Sequence, residues 1–289
     1  MNRERVRPHL ALVAAAFFFG TTFLVVKDAV KDAGPIPFLA ARFCIGTLAL
    51  WPFARRTAPS AGLWRDGASV GAALLAGYVF QTIGLQYTSA SESAFITYLL
   101  VAFVPLLSAM KLRRRPNAPT TVGVALAVVG LWLVTGATPS LGRGEVLTIG
   151  CAIAFAFHVV LIADHSPKHA AIRLNAVQLG VVGVACIVPG LFLGGYAFPL
   201  TTWLAAAFTG VFASALALGM QVWAQARVEP SRSALVLTLE PVFAAVLGFF
   251  AGDRLGWVGA GGAALILAGV LVSELAPWPR TRLQPEAPA

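Results

Sequence analysis

The chain has 289 residues, of which 58% are hydrophobic and 11% are charged, and its formal net charge is +9. Because an ordinary soluble domain is about a quarter charged, this composition excludes a water-soluble surface over most of the chain. The basic residues lie in short clusters between apolar runs, which argues against a nucleic-acid-binding protein. Cys44, Cys151 and Cys186 lie inside apolar runs without metal-ligand spacing, so we expect no disulfide, no metal and no cofactor.

Ten apolar runs follow one another along the chain, each close to the about 20 residues that a membrane-spanning helix needs. Their breaks fall at helix-breaking or charged stretches, such as Gly34 to Pro37 and Arg113 to Pro116. Since lipid offers backbone groups no partner, the runs predict an all-α polytopic membrane protein of ten transmembrane helices. The predicted spans are 9–26, 36–53, 67–86, 91–110, 119–137, 145–163, 173–194, 199–222, 233–252 and 256–275.

Lysine and arginine residues predict the orientation of these spans. With the amino terminus inside, sixteen of them fall in cytoplasmic segments and four fall outside, while Arg42 lies within a span. The four outside are Lys27, Lys31, Arg143 and Arg254. The sequence therefore predicts an integral protein of the plasma membrane with both termini in the cytoplasm.

The two halves of the sequence resemble each other. Gln81 and Ser93 recur as Gln221 and Ser233, 140 residues later. The repeated unit holds five spans, and because five is odd the second copy enters the membrane from the opposite side. Inverted repeats of this kind build many secondary transporters. The predicted repeats are residues 1–140 and 141–289.

Four stretches carry a resemblance to a known family: AFFFGTTFLVVK at 16–27, LAARFCIGTLAL at 39–50, GLQYTSASESAFITYLLVAFVPLLSA at 84–109, and LEPVFAAVLGFFAGDRLGWVGAGGAALILAGVLV at 239–272. Through them the chain resembles EamA-type members of the drug/metabolite transporter superfamily over nearly its whole length. The resemblance implies ten helices, alternating access, and usually export of a small metabolite or amphipathic compound from a bacterial cytoplasm, across the inner membrane.

Glu240 is the single carboxylate of an apolar run and is followed directly by Pro241. A charge near mid-membrane is costly, so its helix face should point into the bundle. Glu240 either carries a proton or balances a cation in the pathway, or it holds backbone groups that Pro241 leaves without a partner. The first half has no matching acid, and Pro105 lies one turn later in its repeat, so the two halves cannot form a symmetric site.

Arg42 and His158 are the other ionisable groups within the spans. Arg42 either snorkels to the outer surface or bonds helix-end carbonyls, or it contacts an anionic substrate. Its repeat partner is the neutral Gln178, which favours a hydrogen-bonding role. His158 can titrate near neutral pH, but a lone histidine in such a run is more often a packing residue.

Other polar positions are candidates for a substrate pathway. Tyr78 and Gln81 share a face of the third span, and Gln221 occupies the repeat-related place in the eighth. Tyr98 lies on an aromatic stripe of the fourth span, on which Pro105 is a structural candidate. Gly20 and Thr21 interrupt the first span where a substrate could approach the backbone. In contrast, glycines seven residues apart, at 123 and 130 and at 262 and 269, predict scaffold faces for close helix contact.

The sequence lacks a phosphate-binding glycine loop, a zinc-protease motif and a nucleophile elbow, so we do not expect an enzyme. We expect a secondary transporter, an exporter of a small metabolite, amino acid or amphipathic compound, with a small-molecule substrate and lipid as partners. Transport would run on a gradient of protons or another ion, or on the substrate's own gradient. Nucleic acid is not expected as a partner, and we expect a monomer. An intramembrane enzyme using Glu240 and His158, or a non-transporting receptor or assembly protein, stays open as an alternative.

The inverted repeat makes a prediction about topology. In a chain without native cysteines, Asn2→Cys and Ser140→Cys should react with a membrane-impermeant maleimide from opposite sides of the bilayer, because five spans separate them. Labelling of intact cells and of inside-out vesicles measures this. Labelling of both positions from one side would contradict two inverted five-helix units.

Overall fold

The computed structural model of the chain describes residues 3–88, 90–113, 115–136, 142–250 and 256–274. Every regular element in these ranges is helical, which confirms the predicted all-α class. The boundary predicted between the repeats, at 140 and 141, and the predicted exterior residue Arg254 lie outside them. The helices are α1 (Arg3–Ala33), α2 (Pro35–Ala54), α3 (Leu63–Gly84), α4 (Ala90–Tyr98), α5 (Leu100–Lys111), α6 (Ala118–Thr135), α7 (Arg143–His165), α8 (Ala171–Phe192), α9 (Leu200–Phe208), α10 (Leu218–Gln225), α11 (Pro230–Leu237), α12 (Leu239–Phe250) and α13 (Trp257–Glu274). A 3₁₀ turn, Ser166–Lys168, joins α7 to α8, and a π-helical segment, Thr209–Ala217, joins α9 to α10.

Eight helical segments in the described ranges are long and apolar enough to cross a membrane, so the chain is an integral membrane protein. Two further apolar helical stretches are shorter, Val6–Thr21 in α1 and Trp257–Ser273 in α13. The count of ten transmembrane helices stays a prediction. The eight segments are Pro35–Ala54, Leu63–Gly84, Ser93–Lys111, Ala118–Thr135, Arg143–Lys168, Ala171–Phe192, Leu200–Gln225 and Pro230–Leu247.

Two predicted spans are not straight helices. The ninth breaks at Thr238, between α11 and α12. Pro241 explains this break, because proline has no N–H to donate to the carbonyl one turn earlier. The fourth breaks at Leu99, between α4 and α5. This position is not explained by Pro105, which lies further along inside α5.

Glycine faces allow α6 and α13 to cross with their backbones in contact. A methyl group on Gly130 would lie 2.6 Å from the carbonyl oxygen of Gly262, and one on Gly123 would lie 2.5 Å from that of Gly269. Real Cβ atoms do not approach this closely, so only glycine allows the crossing. The predicted scaffold role of these four residues is confirmed.

The other helices pack against one another in a regular pattern. Helix α2 lies on α8, α3 lies on α7 and α8, and α1 lies on α12 and on the span formed by α9, the π-helical segment and α10. Helices α4 and α5 pack on α7, and α5 also contacts α11. The bundle has one end rich in Arg55, Arg56, Arg65, Lys111 and Arg173, where α2, α5 and α7 end and α3 and α8 begin. We call it the basic end; it is the predicted cytoplasmic end.

The glycine crossing predicts a contrast between two neighbouring residues of α13. Gly262→Ala should destabilise the protein by about 1–3 kcal/mol, because its methyl group would meet the Gly130 carbonyl. Gly261→Ala should be neutral or slightly stabilising, since nothing lies within 4 Å of its added methyl group. Thermal unfolding of the purified variants in detergent measures both. Equal melting temperatures for the two would contradict the backbone contact.

Candidate functional site

A cavity of about 410 Å³ lies among the helices, in the size range of small-molecule sites. It runs from mid-depth towards the end opposite the basic end. On α3, for example, it is lined from Leu74 to Leu85 and not by the first turns, and on α6 it is lined by the last residues, Val134 and Thr135. The cavity is therefore closed at the basic end by packed helix.

Eight of the twelve candidate residues from the sequence line this cavity. Helices from both predicted repeats contribute them, which brings together positions up to 199 residues apart, from Arg42 to Pro241. The eight are Arg42, Tyr78, Gln81, Tyr98, His158, Gln221, Glu240 and Pro241. Leu100, the repeat counterpart of Glu240, also lines it. The predicted asymmetry is therefore a carboxylate in one repeat and a leucine at the matching position of the other.

Glu240 lies in the first turn of α12, directly after the break at Thr238. A carboxylate is favoured there because the first amides of a helix point towards it and lack internal partners. The hydroxyl of Tyr98, at the end of α4, is within hydrogen-bonding reach of the carboxylate. The two helix breaks thus place a phenol and an acid against each other at the middle of the bundle.

Arg42 is buried, with 4% of its surface exposed, so the snorkelling predicted as one alternative is wrong. Its Nε donates to Ser214 Oγ at 2.9 Å, and its Nη2 donates to the Tyr78 hydroxyl at 3.1 Å. The guanidinium carbon also lies 4.9 Å from the Tyr78 ring centre and 5.2 Å from that of Phe43. A guanidinium stacked on rings and bonded at two donors is held in one place.

Close approach of α2 to the π-helical segment makes this bond possible. A methyl group on Gly210 would lie 2.6 Å from the Arg42 carbonyl oxygen, and one on Gly46 would lie 2.8 Å from the Gly210 carbonyl oxygen. Two glycines therefore bring the backbones together where Arg42 meets Ser214. The π-helical turn, with its i to i+5 bonds, is of the kind that often marks a functional site.

A second group of buried polar side chains continues from the same segment. His158 Nε2 donates to Gln178 Oε1 at 2.8 Å, and Gln178 Nε2 donates to Asn175 Oδ1 at 2.8 Å. Asn175 Nδ2 in turn donates to the Ala215 carbonyl at 2.9 Å. Gln178 does not line the cavity but orients His158, which does. Arg42 and Gln178, the repeat-related pair, thus both bond towards the π-helical segment.

Sequence analysis missed Asn175 and Ser214. Asn175 lies three residues before Gln178, on the same helix face, and this spacing was the available signal. Nothing in the sequence marks Ser214, because serine is common at helix interfaces and the π-helical turn that presents it has no sequence signature.

Gln81 and Gln221, paired by the repeat, line the cavity from α3 and α10. Gln221 Nε2 also donates to Gln225 Oε1 at 3.2 Å, and Gln225 Nε2 reaches the Val159 carbonyl at 3.4 Å. Gln221 is therefore bonded through Gln225 to the backbone of α7. Both Gln81 and Gln221 add a polar amide to the cavity lining.

Besides Gln178, three candidates lie away from the cavity lining. Gly20 and Thr21 do not interrupt the first span, because α1 is continuous through them. A methyl group on Gly20 would lie 2.9 Å from the Glu240 carbonyl oxygen, so this glycine brings α1 against α12 rather than leaving room for a substrate. The Thr21 hydroxyl donates to the Phe18 carbonyl within its own helix. Pro105 lies inside α5, after the break at Leu99 in the chain.

Known proteins with similar sequences are transporters. The model of the EamA-like transporter family matches residues 7–136 and again residues 142–275. An Archaeoglobus fulgidus protein described as an uncharacterized transporter is 30% identical over 83% of this chain and 77% of its own length. The uncharacterized transporter YoaV of Bacillus subtilis is 22% identical over 84% of this chain and 88% of its own.

A solved crystal structure has the same fold. It superposes with a TM-score of 0.79 at 18% sequence identity, covering 93% of this chain and 96% of the other. The similarity in sequence and the match of the family model over most of the length agree on the class of protein. This chain is a membrane transporter and belongs to the EamA-like transporter family.

Proposed function

We propose that the chain is a secondary transporter that exports a small metabolite, amino acid or amphipathic compound across the bacterial inner membrane. The observation that carries this is a single cavity lined by residues of both predicted repeats and closed at the basic end. Movement of the repeats 1–140 and 141–289 against each other would close the present opening and open the basic end. Such alternating access is the working mode of inverted-repeat transporters.

The packing pattern supports two related halves. Helices α2 and α8 are the second spans of the two predicted repeats, and α6 and α13 are their fifth spans; each pair is in extensive contact. The contacts of α3 with α7 correspond to those of the eighth span with α1. The family model also matches twice, at 7–136 and at 142–275, which is what two copies of one unit predict.

The lining favours a solute with both apolar and polar parts. Leucine, phenylalanine, alanine and valine side chains supply most of the wall, and the amides of Gln81 and Gln221 with the phenols of Tyr78 and Tyr98 supply hydrogen bonds. A few convergent polar groups on an apolar wall are typical of small-molecule sites. The family resemblance supports export as the direction of transport.

Glu240 is the charge that this proposal assigns to coupling. The two Arg42 donors described above bond to Ser214 and Tyr78. No salt bridge of 4 Å or less joins Arg42 to Glu240 in the described part of the chain, although the two charges attract each other across the cavity. The carboxylate can therefore take up a proton, or bind a cationic group, without breaking a salt bridge. It also lies at the helix break, where a small rotation of α12 would move it.

Glu240→Gln should reduce export about tenfold or more while leaving folding nearly intact, because the amide keeps the size and the hydrogen-bonding capacity but cannot change charge. Untargeted metabolite profiling of medium and cytoplasm from overproducing cells measures this, with expression matched by quantitative blot. The reference is a strain producing the unchanged protein.

Glu229→Gln serves as the matched control, since Glu229 precedes α11 and does not line the cavity. It should leave the profile as in the reference strain. Equal export by Glu240→Gln and the reference, at equal expression, would contradict a coupling role for this carboxylate.

Arg42→Lys should act in the opposite way, on stability more than on transport. Lysine cannot reproduce the bonds of Nε and Nη2 to Ser214 and Tyr78, and the loss should destabilise the protein by about 2 kcal/mol. Thermal unfolding in detergent measures the change, with exposed Arg56→Lys as control. An unchanged melting temperature for Arg42→Lys would refute the structural role.

A further inference from the structure

An open groove with an almost wholly apolar wall runs along the outer surface of the bundle, where α3 packs on α7. Its volume is about 420 Å³. The two helices lie close together beneath it, because a methyl group on Gly77 would overlap the Phe155 ring. The small residues Ala76 and Gly150 line the groove, which leaves room above the crossing.

The groove faces the lipid. Phe80 and Phe157 line it from α3 and α7, and both rings are exposed, so nothing in the described part of the chain covers them. Along α7 the groove extends from Gly150 to Leu161, which is about 16 Å of helix rise. One leaflet of a bilayer has a hydrocarbon layer of about 15 Å. The groove therefore has the length and the direction of an acyl chain.

Each wall of the groove leads to a cation at the basic end. On α3, Arg65 lies eleven residues before Ala76, which is three turns away on the same helix face. On α7, Leu161 and Asp164 share a face, and Lys168 follows four residues later with its Nζ 3.7 Å from Asp164 Oδ1. The side chains of Arg65 and Lys168 are 86% and 54% exposed. The apolar groove thus ends between two accessible positive charges.

Positive charge exceeds negative charge at this end of the groove. Asp164 pairs with Lys168 and also with Lys111, at 3.9 Å, and such partly exposed pairs are weak. Asp66, the acid beside Arg65, is 4% exposed. Three cations therefore surround two acids, one of which is buried, and an anion that arrives from the lipid meets the cations first.

Exposed tryptophans lie at the same level. Trp64 precedes Arg65 in the first turn of α3, and Trp51 lies in the last turn of α2, and both are exposed. Tryptophan is enriched where membrane proteins cross the interface between hydrocarbon and water. Lipid phosphate groups lie at this interface, so Arg65 and Lys168 are at the depth of a headgroup.

We propose that the groove between α3 and α7 binds an acyl chain of an anionic phospholipid, whose phosphate group lies between Arg65 and Lys168. The basic end is the predicted cytoplasmic end, and the cytoplasmic leaflet is the one whose anionic lipids attract basic residues beside membrane helices. Because α3 and α7 belong to different predicted repeats, one lipid contacts both. The site lies outside the cavity and does not depend on the function proposed above.

Native mass spectrometry of the full-length protein in detergent measures the affinity for a first lipid. Dioleoyl-phosphatidylglycerol and dioleoyl-phosphatidylcholine carry the same chains and differ in headgroup charge. We expect the anionic lipid to bind about tenfold more tightly. Arg65→Gln combined with Lys168→Gln should abolish this preference. Arg55→Gln combined with Arg56→Gln is the matched control, because it removes two exposed charges from the same end but from neither helix of the groove, and it should keep the preference.

A second pair of variants tests the groove itself. Ala76→Trp fills it and should weaken the binding of both lipids about fivefold, because the chain loses apolar contact. Val188→Trp, at an exposed apolar position of α8, should leave both affinities unchanged. Should Ala76→Trp not fold, the variants at the exposed charges carry the test alone.

Four results would overturn the lipid site. Equal affinities for the two lipids would refute it, and so would an undiminished preference when Arg65 and Lys168 are both changed to glutamine. Unchanged binding to a folded Ala76→Trp would exclude the groove. A dimer in the same spectra that Ala76→Trp abolishes would mean that a second copy of the chain occupies the groove instead. Displacement of the lipid by glycerol 3-phosphate would indicate an anion site that needs no acyl chain.

Discussion

A bilayer supplies no water at mid-depth, so polar side chains within a membrane bundle must find partners among themselves. In this chain the requirement is met around one point, the π-helical segment Thr209–Ala217. Arg42 reaches the Ser214 hydroxyl from one side, and Asn175 reaches the adjacent carbonyl groups from another, with Gln178 and His158 behind it. Helices α2, α3, α7 and α8 are thereby tied to the eighth span. The cavity is the space that this arrangement of fixed polar groups leaves open.

Arg42 and Glu240 line the same cavity but are held differently. The Arg42 guanidinium is bonded to Tyr78 as well as Ser214 and stacked on rings, so its movement would disrupt contacts among α2, α3 and the eighth span. Glu240 lies at a break between two short helices, faces Tyr98, and has only Leu100 at the repeat-related place. Under the proposed function, a solute or a proton would act on the acid at the start of α12 while the cation stays anchored.

Much of this was predictable because lipid makes sequence patterns simple. Apolar runs and basic clusters predicted the all-helical membrane fold, and glycines seven apart predicted the α6–α13 crossing that Gly123 and Gly262 make. Eight of the twelve predicted site residues line the cavity. The failures have physical reasons. Gly20 was expected to leave room for a substrate, but α12 packs against it. Arg42 was expected, as one alternative, to snorkel to the surface, but it bonds to Ser214 inside the bundle. Both depend on tertiary partners that no local pattern encodes.

Sequence analysis also missed the polar contacts of Asp66 with two histidines at the basic end, for a related reason. Asp66, His165 and His169 fall at the ends of different spans, where polar residues are expected and attract no notice, and 99 residues separate Asp66 from His165. Only the fold shows that Asp66 meets both histidines across the boundary between the predicted repeats. A transporter must close one end while the other is open, and van der Waals packing between apolar helices in lipid gives little means of adjusting that closure. Hydrogen bonds between imidazole and carboxylate add directional contacts to that packing, because each needs its partner at one position. The polar groups at mid-depth thus line a cavity, whereas those at the basic end bond the two predicted repeats to each other.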